Sequence, residues 1–375
     1  MKKILSVLLA LVLALGLCVT ASAEGTASAF AQDAYATVLT ASDFQRYDNS
    51  AYERFDKILN LAKNDGMPEP DSLPIGGDYT MFLYDNAVPG IAKIRGAYLD
   101  AYPGVDPASA VFCQGNHDNA KKELTETGFY NMGAYCLYVI NEDDFPWKQS
   151  KHTPDGVQAL AKDVERCLDG MIASGDHRPV IVLTHVPLHH TYRNSYGDNM
   201  YAAYLFDVLN EKGKALDIVF AFGHNHSGGY DDYIGGAVNF MQPGDTIRIP
   251  MTDKTGENCY TEQTLHFTYT NCGYVGFSDN AVSDTSTDTL TMGVLQLTPD
   301  TLHFIKYSEQ GVYRVYDVRR VHGDSTVTEP EYPAMVDNCF CHSEKPIVKA
   351  LWNVYAFFCK LLSVNRYCVC GAHHF

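Results

Sequence analysis

The chain has 375 residues, of which 46% are hydrophobic and 19% are charged; this is the composition of a folded globular protein and excludes a disordered one. Its net charge is −17, and such an acidic surface repels polyanions, so we expect no nucleic-acid binding. A phosphate group can still bind locally through metal ions, whose charge dominates the site that holds them.

The first 23 residues have the organisation of a signal peptide. Lys2 and Lys3 precede an almost unbroken apolar run over residues 4–19, and residues 21–23 (Ala-Ser-Ala) form a small-residue cleavage site. The alternative is a transmembrane anchor, but the run is shorter than the ~20 residues that a spanning helix needs. We therefore expect residues 1–23 to be removed, leaving a net charge of −19, and the protein to be secreted or displayed at the extracellular surface of a bacterium.

Short apolar runs that alternate with amphipathic stretches predict an α/β fold for the first part of the chain. Continuous runs of β-branched and aromatic residues are typical of strands that are buried on both faces. Strand followed by helix, repeated, is the pattern of α/β proteins. The predicted strands span residues 36–40, 110–113, 180–184 and 218–222, and the predicted helices span residues 52–63, 157–173 and 202–212.

After residue 228 the pattern changes to strand-like segments separated by turn residues, which predicts a β-rich, antiparallel half. The predicted strands there span residues 246–251, 264–268, 290–297, 301–307 and 313–318. A polar segment that contains proline follows and predicts a linker over residues 323–333. We therefore expect one main domain over residues 35–322 and a separate tail over residues 334–375.

Metal-ligand residue types stand mostly just after the predicted strands. In open α/β sheets, ligands collect in the crevice at the carboxyl ends of the strands. Imidazole and carboxylate groups suit Zn, Mn or Fe, and one carboxylate, which we assign to Asp78, can bridge two ions about 3.5–4 Å apart. The candidate ligands are Asp43, Gln45, Asp78, Asn116, His185, His224 and His226, with His117 and Asp118 directly after Asn116. The sequence therefore predicts a binuclear metal site.

The order of these motifs resembles that of the calcineurin-like metallophosphoesterase superfamily. The family pattern is D-x-H, G-D, G-N-H-D/E, a lone H and G-H-x-H, and the resemblance covers residues 35–230. It implies a four-layer α/β/β/α sandwich and a phosphoesterase that hydrolyses phosphate mono- or diesters with a metal-activated water. The alternative among enzymes is a preference for phosphodiesters, nucleotides or pyrophosphates over monoesters.

The resemblance also implies a role for each residue. Asp43, Gln45, Asp78 and His226 would hold the first ion, and Asp78, Asn116, His185 and His224 would hold the second. His117 would contact the phosphate or protonate the leaving oxygen, and Asp118 would orient His117.

Two positions depart from the family pattern. Gln45 stands where the family usually has His; its neutral oxygen is a weaker donor and favours harder cations such as Mn. Met81 stands where purple acid phosphatases carry Tyr, so we do not expect that subgroup. Gln45 also supports an alternative function, a non-catalytic surface binding protein that retains the fold. Loop residues that could line a substrate pocket, or could simply be exposed, are His189, His190, Tyr192, Arg193 and Tyr230.

The tail combines an apolar helix with clustered cysteines. Residues 346–364 are mostly apolar, and Lys345, Lys349 and Lys360 lie on one narrow stripe, which favours peripheral membrane contact through residues 345–364 or a helix docked on the main domain. Two C-x-C pairs flank this helix and could hold a structural zinc or form two disulfides. These cysteines are Cys339, Cys341, Cys368 and Cys370.

Overall fold

The computed structural model describes most of the predicted main domain. The described residues are 29–45, 48–81, 86–119, 122–146, 153–188, 201–226, 240–250, 260–276 and 290–322. The chain divides into two units, Met1–Gly323 and Asp324–Phe375, and the second unit lies outside the described residues. The predicted signal peptide, linker and tail, and the candidate pocket residues from His189 to Arg193 and at Tyr230, also lie outside them. Of the helices that the structure describes, none combines the length and the apolar character of a membrane-crossing segment.

The described elements alternate between strands and helices in the first part of the chain and are mostly strands after β7. The strands are β1 (Ala36–Thr40), β2 (Leu73–Ile75), β3 (Ala110–Phe112), β4 (Gly128–Asn131), β5 (Cys136–Ile140), β6 (Val180–Thr184), β7 (Ile218–Phe222), β8 (Phe240–Met241), β9 (Thr246–Pro250), β10 (Tyr260–Thr264), β11 (Thr268–Asn271), β12 (Gly273–Tyr274), β13 (Thr291–Leu297), β14 (Thr301–Ser308) and β15 (Gly311–Arg319). The helices are α1 (Ser50–Asn64), α2 (Val88–Ala101), α3 (Pro154–Ser174) and α4 (Ala202–Lys212), with a short 3₁₀ turn at Pro107–Ser109.

The strands form two main sheets. In the first, β1 pairs with β13, which is followed by β14 and β15, while parallel bridges from Val38 to Ser72 and from Ala41 to Ile75 join β1 to the parallel pair β2 and β3. β12 pairs with β13 just beyond the end of β1. The second sheet has the order β4-β5-β6-β7-β11-β8, in which β5, β6, β7 and β11 are parallel. β9 and β10 form a separate antiparallel pair.

Three hydrophobic cores separate four layers, which makes the fold an α/β/β/α sandwich. The first core joins α1 and α2 to one face of the first sheet, and the second joins α3 and α4 to one face of the second sheet. The third lies between the two sheets. Alternate residues of one strand serve different cores because side chains alternate across a sheet: Val180 and Val182 face the α3 side, whereas Ile181 and Leu183 face the first sheet. Burial on both faces explains the continuous apolar runs.

Helix α3 illustrates how local sequence sets the ends of an element. The Thr153 hydroxyl accepts the backbone N–H of Gly156 (3.1 Å), and Pro154 occupies the first helical position, where its missing N–H costs nothing. Gly175 ends the helix in the left-handed conformation, with φ of 70°. The helix therefore begins and ends one turn or less outside the predicted span of 157–173.

The predicted strands at 36–40, 180–184 and 218–222 are confirmed at both ends, as is helix 202–212. The predicted strand at 264–268 is wrong: its first and last residues belong to β10 and β11, and residues 265–267 connect these two strands. Leu265 and Phe267 make this connection apolar because they are buried in the α4-side core. The expectation of a wholly antiparallel second half is also wrong, because β11 lies parallel to β7.

The single cysteines of the described domain are free thiols, namely Cys113, Cys136, Cys167 and Cys272. Cys113 and Cys272 are completely buried, and burial raises the pKa of both thiols. They act as small apolar side chains of the inter-sheet core.

His303 on β14 links the start of the described domain to β15, and we expect its contribution to stability to depend on pH. Its Nδ1 donates to Asp317 (2.6 Å) and its Nε2 donates to the Ala29 carbonyl (2.7 Å), an arrangement that needs the imidazolium form. Burial lowers the pKa of His303, but these hydrogen bonds and the Asp317 charge outweigh it and raise the pKa above the ordinary 6.5. A raised folded-state pKa stabilises the protein fully below the unfolded-state pKa, and this stabilisation is lost as pH rises through the folded-state value.

We therefore expect His303→Gln to lower the unfolding free energy more at about pH 5.5 than at about pH 9, by roughly 1 kcal/mol. Denaturant unfolding of both proteins at the two pH values measures this. An equal loss at both pH values would show that His303 is neutral in the folded protein.

Candidate metal centre

Strand ends from both sheets meet at one place. Asp43 and Gln45 follow β1, Asp78 follows β2 and Asn116 follows β3, all in the first sheet and its parallel extension. His185 directly follows β6 of the second sheet, and two further histidines follow β7. Contacts of 2.5–3.4 Å connect all the predicted ligands into one cluster, namely Asp43, Gln45, Asp78, Asn116, His185, His224 and His226.

One half of the cluster is built around the amide oxygen of Asn116. Asn116 Oδ1 lies 3.0 Å from both His185 Nε2 and His224 Nδ1, and these two ring nitrogens are 3.2 Å apart. The two imidazole rings stand nearly perpendicular, at 82°. His185 Nδ1 donates to the Gly76 carbonyl (2.7 Å), which leaves Nε2 as the coordinating nitrogen. A donor set of two imidazoles and an amide oxygen that converge at this distance fits a divalent cation.

The other half contains Asp43, Gln45 and His226. His226 Nε2 lies 3.4 Å from Asp43 Oδ1, and Gln45 Nε2 donates to Asp78 Oδ2 (2.5 Å). Gln45 is buried, and its Oε1 has no hydrogen-bond partner among the described residues. A buried amide oxygen without a partner costs folding free energy. Coordination of a cation would satisfy it, so this set also fits a metal ion.

Asp78 lies between the two halves. Its Oδ2 accepts from Gln45 on one side and lies 3.3 Å from His185 Nε2 on the other, while its Oδ1 accepts the backbone N–H of His117 (2.9 Å). Ligand atoms of Asp43, Asp78 and His185 all lie within 4.8 Å of one another. This is the position that a carboxylate shared by two ions must occupy.

The charged side chains of the cluster stabilise one another even without a metal. Burial raises the pKa of Asp43, but the hydrogen bond and charge of His226 outweigh it and bring the pKa to about 2. Burial lowers the pKa of His185, but the Asp78 carboxylate beside it dominates and raises the pKa to about 10. Ionised carboxylates thus hold a proton on a buried imidazole. A divalent cation would take the place of that proton, as metal binding to histidine generally does.

Backbone strain in the described domain is concentrated at this site. The non-glycine residues with positive φ among the described residues are Asp43 (57°), Asp78 (61°), His224 (70°) and His226 (52°), and all are predicted ligands. A non-glycine residue in this conformation costs about 1–3 kcal/mol and persists only where the surroundings enforce it. The strain turns each side chain out of its strand direction and into the cluster.

Two glycines let the loops that carry Asp78 and Asn116 touch backbone to backbone. A Cβ on Gly77 would lie 2.6 Å from the Gly115 nitrogen, and a Cβ on Gly115 would lie 2.2 Å from Asp78 Oδ1. Neither position can therefore carry a side chain without a shift of the loops. The glycines before Asp78 and Asn116 thus allow the close approach of the two loops.

Asp118 and His117 lie beside the cluster, but in an arrangement that differs from the expected one. The Asp118 carboxylate accepts the backbone N–H groups of Asp78 (2.7 Å), Tyr79 (2.8 Å) and Gly115 (2.8 Å), so it ties the two ligand loops together. His117 Nδ1 instead lies 2.8 Å from the Met81 carbonyl, which orients the ring. His117 is less buried than Asn116 and Asp118 on either side of it.

Ser42 and Tyr274 also touch the ligands, although no motif marks them. The Ser42 hydroxyl has two acceptors in reach, Asp43 Oδ2 at 2.6 Å and the Gly273 carbonyl at 2.7 Å, and its single proton serves one at a time. The Tyr274 ring stacks on the His226 imidazole. Ser42 could have been suspected as the hydroxyl neighbour of Asp43, whereas nothing in the sequence around Tyr274 points to the site.

The family profile described as calcineurin-like phosphoesterase matches residues 36–228. Among solved structures, a dimetal phosphatase from Danio rerio is 10% identical and covers 76% of this chain and 99% of that one, with a TM-score of 0.45. GAP50, the anchor in the inner membrane complex of Plasmodium, is 10% identical over 76% and 89% of the two chains, with a TM-score of 0.41. A Vps29 single mutant from Entamoeba histolytica is 13% identical over 76% and 99%, with a TM-score of 0.35. A comparison with curated proteins gave no match.

Proposed function

Because the chain belongs to the calcineurin-like phosphoesterase family, we propose that it is a secreted hydrolase of phosphate mono- or diesters that works with two divalent metal ions. The observation that carries this proposal is the position of Asp78, whose Oδ2 lies between Gln45 on one side and His185 on the other. The Oε1 atom of Gln45 supports the proposal further, because it is buried without a hydrogen-bond partner and coordination of a cation would satisfy it.

The proposed ligand sets follow the two halves of the cluster. Asp43, Gln45, Asp78 and His226 would hold the first ion, and Asp78, Asn116, His185 and His224 would hold the second. Bound divalent ions would polarise a phosphoryl oxygen as Lewis acids and would lower the pKa of a bound water to about 7. Mn, Zn and Fe suit these donors, and the neutral oxygen of Gln45 makes Mn the best candidate for the first position.

The chain's own residues would position the ester and move a proton. His117 Nδ1 donates to the Met81 carbonyl in either protonation state, so proton exchange with a substrate must take place at Nε2. Protonated there, His117 can hydrogen-bond the phosphate and pass its proton to the leaving oxygen. Asp118 supports this indirectly, because its carboxylate keeps the loops of Asp78 and Gly115 together.

The location of the protein and the role of its tail are proposed from sequence alone. The signal-peptide pattern of residues 1–23 supports export. The basic stripe of residues 345–364 supports contact with an anionic membrane surface, and Cys339, Cys341, Cys368 and Cys370 could hold a structural zinc.

Replacement of His117 tests the chemical part of the proposal. We expect His117→Ala to lower kcat for p-nitrophenyl phosphate or its bis-ester by about 10²–10⁴-fold, because the leaving oxygen loses its proton donor. Metal content, measured by atomic emission, should stay unchanged, because the His117 ring contacts the Met81 carbonyl, and the contact of His117 with Asp78 is made by its backbone N–H, which the substitution keeps.

His177→Ala is the matched control, since His177 lies before β6, at the opposite end of that strand from His185, and should leave kcat unchanged. An unchanged kcat in His117→Ala would remove the residue from the mechanism, and a loss of metal would make it a ligand instead. The ratio of kcat/KM for the two esters decides between monoester and diester preference.

A further inference from the structure

Tyr274 packs flat against one of the proposed ligands of the first ion. Its ring centroid lies 5.1 Å from that of the His226 imidazole, and the two planes are inclined by only 9°. Tyr274 is 1% exposed, so the stacked pair is shielded from water on the tyrosine side. We propose that Tyr274 is a positioning residue that holds the His226 ring for coordination. This inference rests on the proposed two-metal function.

The orientation of the His226 ring matters for the first ion in particular. His226 lies beyond the end of β7 in a strained conformation, with φ of 52°. In the proposed first set, His226 is the only nitrogen donor, because Gln45 offers a neutral oxygen. The affinity of the first position therefore depends on the orientation of this one ring more than it would if an imidazole replaced Gln45.

The segment that carries Tyr274 is hydrogen-bonded to two of the three strands that supply the first set. The backbone N–H of Cys272 donates to the Phe222 carbonyl (2.7 Å), at the end of the strand that leads to His226. The Thr40 hydroxyl donates to the Cys272 carbonyl (2.8 Å), at the end of the strand that leads to Asp43. Tyr274 itself lies opposite Thr291 in the β12–β13 pair. The ring is thus placed by a rigid, doubly anchored segment.

The segment also contacts the Asp43 loop directly. A Cβ at Gly276 would lie 2.2 Å from the Asp43 carbonyl oxygen, so the backbone after Tyr274 runs against the backbone of that ligand. Asp43 Oδ1 lies 3.4 Å from His226 Nε2. Tyr274 and Asp43 therefore restrain His226 from two sides, one through the face of the ring and the other through its coordinating edge.

Stacking requires an aromatic ring but not a hydroxyl group, which gives the inference a sharp test. Apo protein is titrated with Mn²⁺ by calorimetry for the wild type, Tyr274→Phe and Tyr274→Leu. We expect Tyr274→Leu to weaken one of the two sites by about tenfold, the lower end of the effect of losing a partner that orients a ligand, and to leave the other unchanged. Tyr274→Phe should keep both affinities within about twofold. In an Asn116→Ala background, which retains the first set, Tyr274→Leu should weaken the remaining site.

Tyr98→Leu is the matched control for the loss of a buried tyrosine, because Tyr98 lies on α2 and is fully buried in the core between the helices and the first sheet. It should lower the melting temperature without changing either affinity. If Tyr274→Leu is unfolded at the titration temperature, Tyr274→Met takes its place with the same expectation. Wild-type affinities in Tyr274→Leu, or an equal loss in Tyr274→Phe, would overturn the positioning role. A wild-type protein that binds no Mn²⁺ at all would instead refute the two-metal function.

Discussion

Asp78→Ala is expected to abolish the binding of both metal ions and with it the hydrolysis of phosphate esters. Its Oδ2 faces Gln45 at 2.5 Å and His185 at 3.3 Å, so a single carboxylate contributes to both halves of the cluster. Loss of a residue that merely orients a ligand already weakens metal binding by about 10–100-fold. Loss of a shared ligand should weaken both sites by more, and calorimetric titration of the apo variant with Mn²⁺ measures this.

Asn116→Ala is the matched comparison, because Asn116 contacts His185 and His224 but belongs only to the second set. It should lose one equivalent of metal and keep the other. Thermal melts of both apo variants check that they are folded. Retention of one tight equivalent in Asp78→Ala would show that Asp78 serves one ion only, and the bridging role would then be wrong.

Gly115→Ala should damage the same centre without removing any ligand. The added Cβ would lie 2.2 Å from Asp78 Oδ1 and 2.4 Å from the Asp78 nitrogen, distances that atoms in a folded protein do not adopt. The loops of Asp78 and Asn116 must therefore move apart. We expect a loss of about 1–3 kcal/mol in unfolding free energy, as is typical of overpacking. Metal affinity at both positions should fall as well, since Asp78 belongs to both proposed ligand sets.

Gly170→Ala controls for the general effect of the substitution. Gly170 lies in α3, and a Cβ added there would meet open space, with no neighbouring side chain within 4 Å. Because alanine favours helix, stability should rise by about 0.5–1 kcal/mol, and metal binding should not change. Denaturant unfolding and metal titration of the two variants measure both quantities. If Gly115→Ala binds metal like the wild type, the contact between the two loops is not needed for the site.

The layers of the fold could be predicted where a strand is covered on both faces. Residues 180–184 and 218–222 are apolar at every position but the last threonine of the first, because alternate side chains enter two different cores. Helix α2 could not be predicted from its sequence in this way, because Gly90 and Gly96 lower its helix propensity. Gly90 is needed there for packing: a Cβ would lie 2.7 Å from the Tyr52 hydroxyl and 2.9 Å from the Tyr79 carbonyl.

The clustering of the candidate ligands could be predicted because each belongs to a short motif at a strand end. Contacts between separate loops could not. Asp118 accepts the backbone N–H groups of Asp78 and Tyr79 because two loops that are distant in sequence meet in the fold. The sequence shows only the neighbouring His117, which is why Asp118 was expected to orient that residue. The stacking of Tyr274 on His226 depends on β12 extending the line of β1 in the sheet, which no local pattern encodes.

The metal content of the purified protein tests the binuclear centre most directly. The protein is loaded with Mn²⁺, freed of excess ion by gel filtration, and analysed by atomic emission alongside Asp78→Ala. Two complete donor sets that share Asp78 predict about two equivalents per chain in the wild type and close to none in the variant. Less than one equivalent in a folded wild-type protein would contradict a binuclear centre, and the non-catalytic binding protein would then be the better account of the fold.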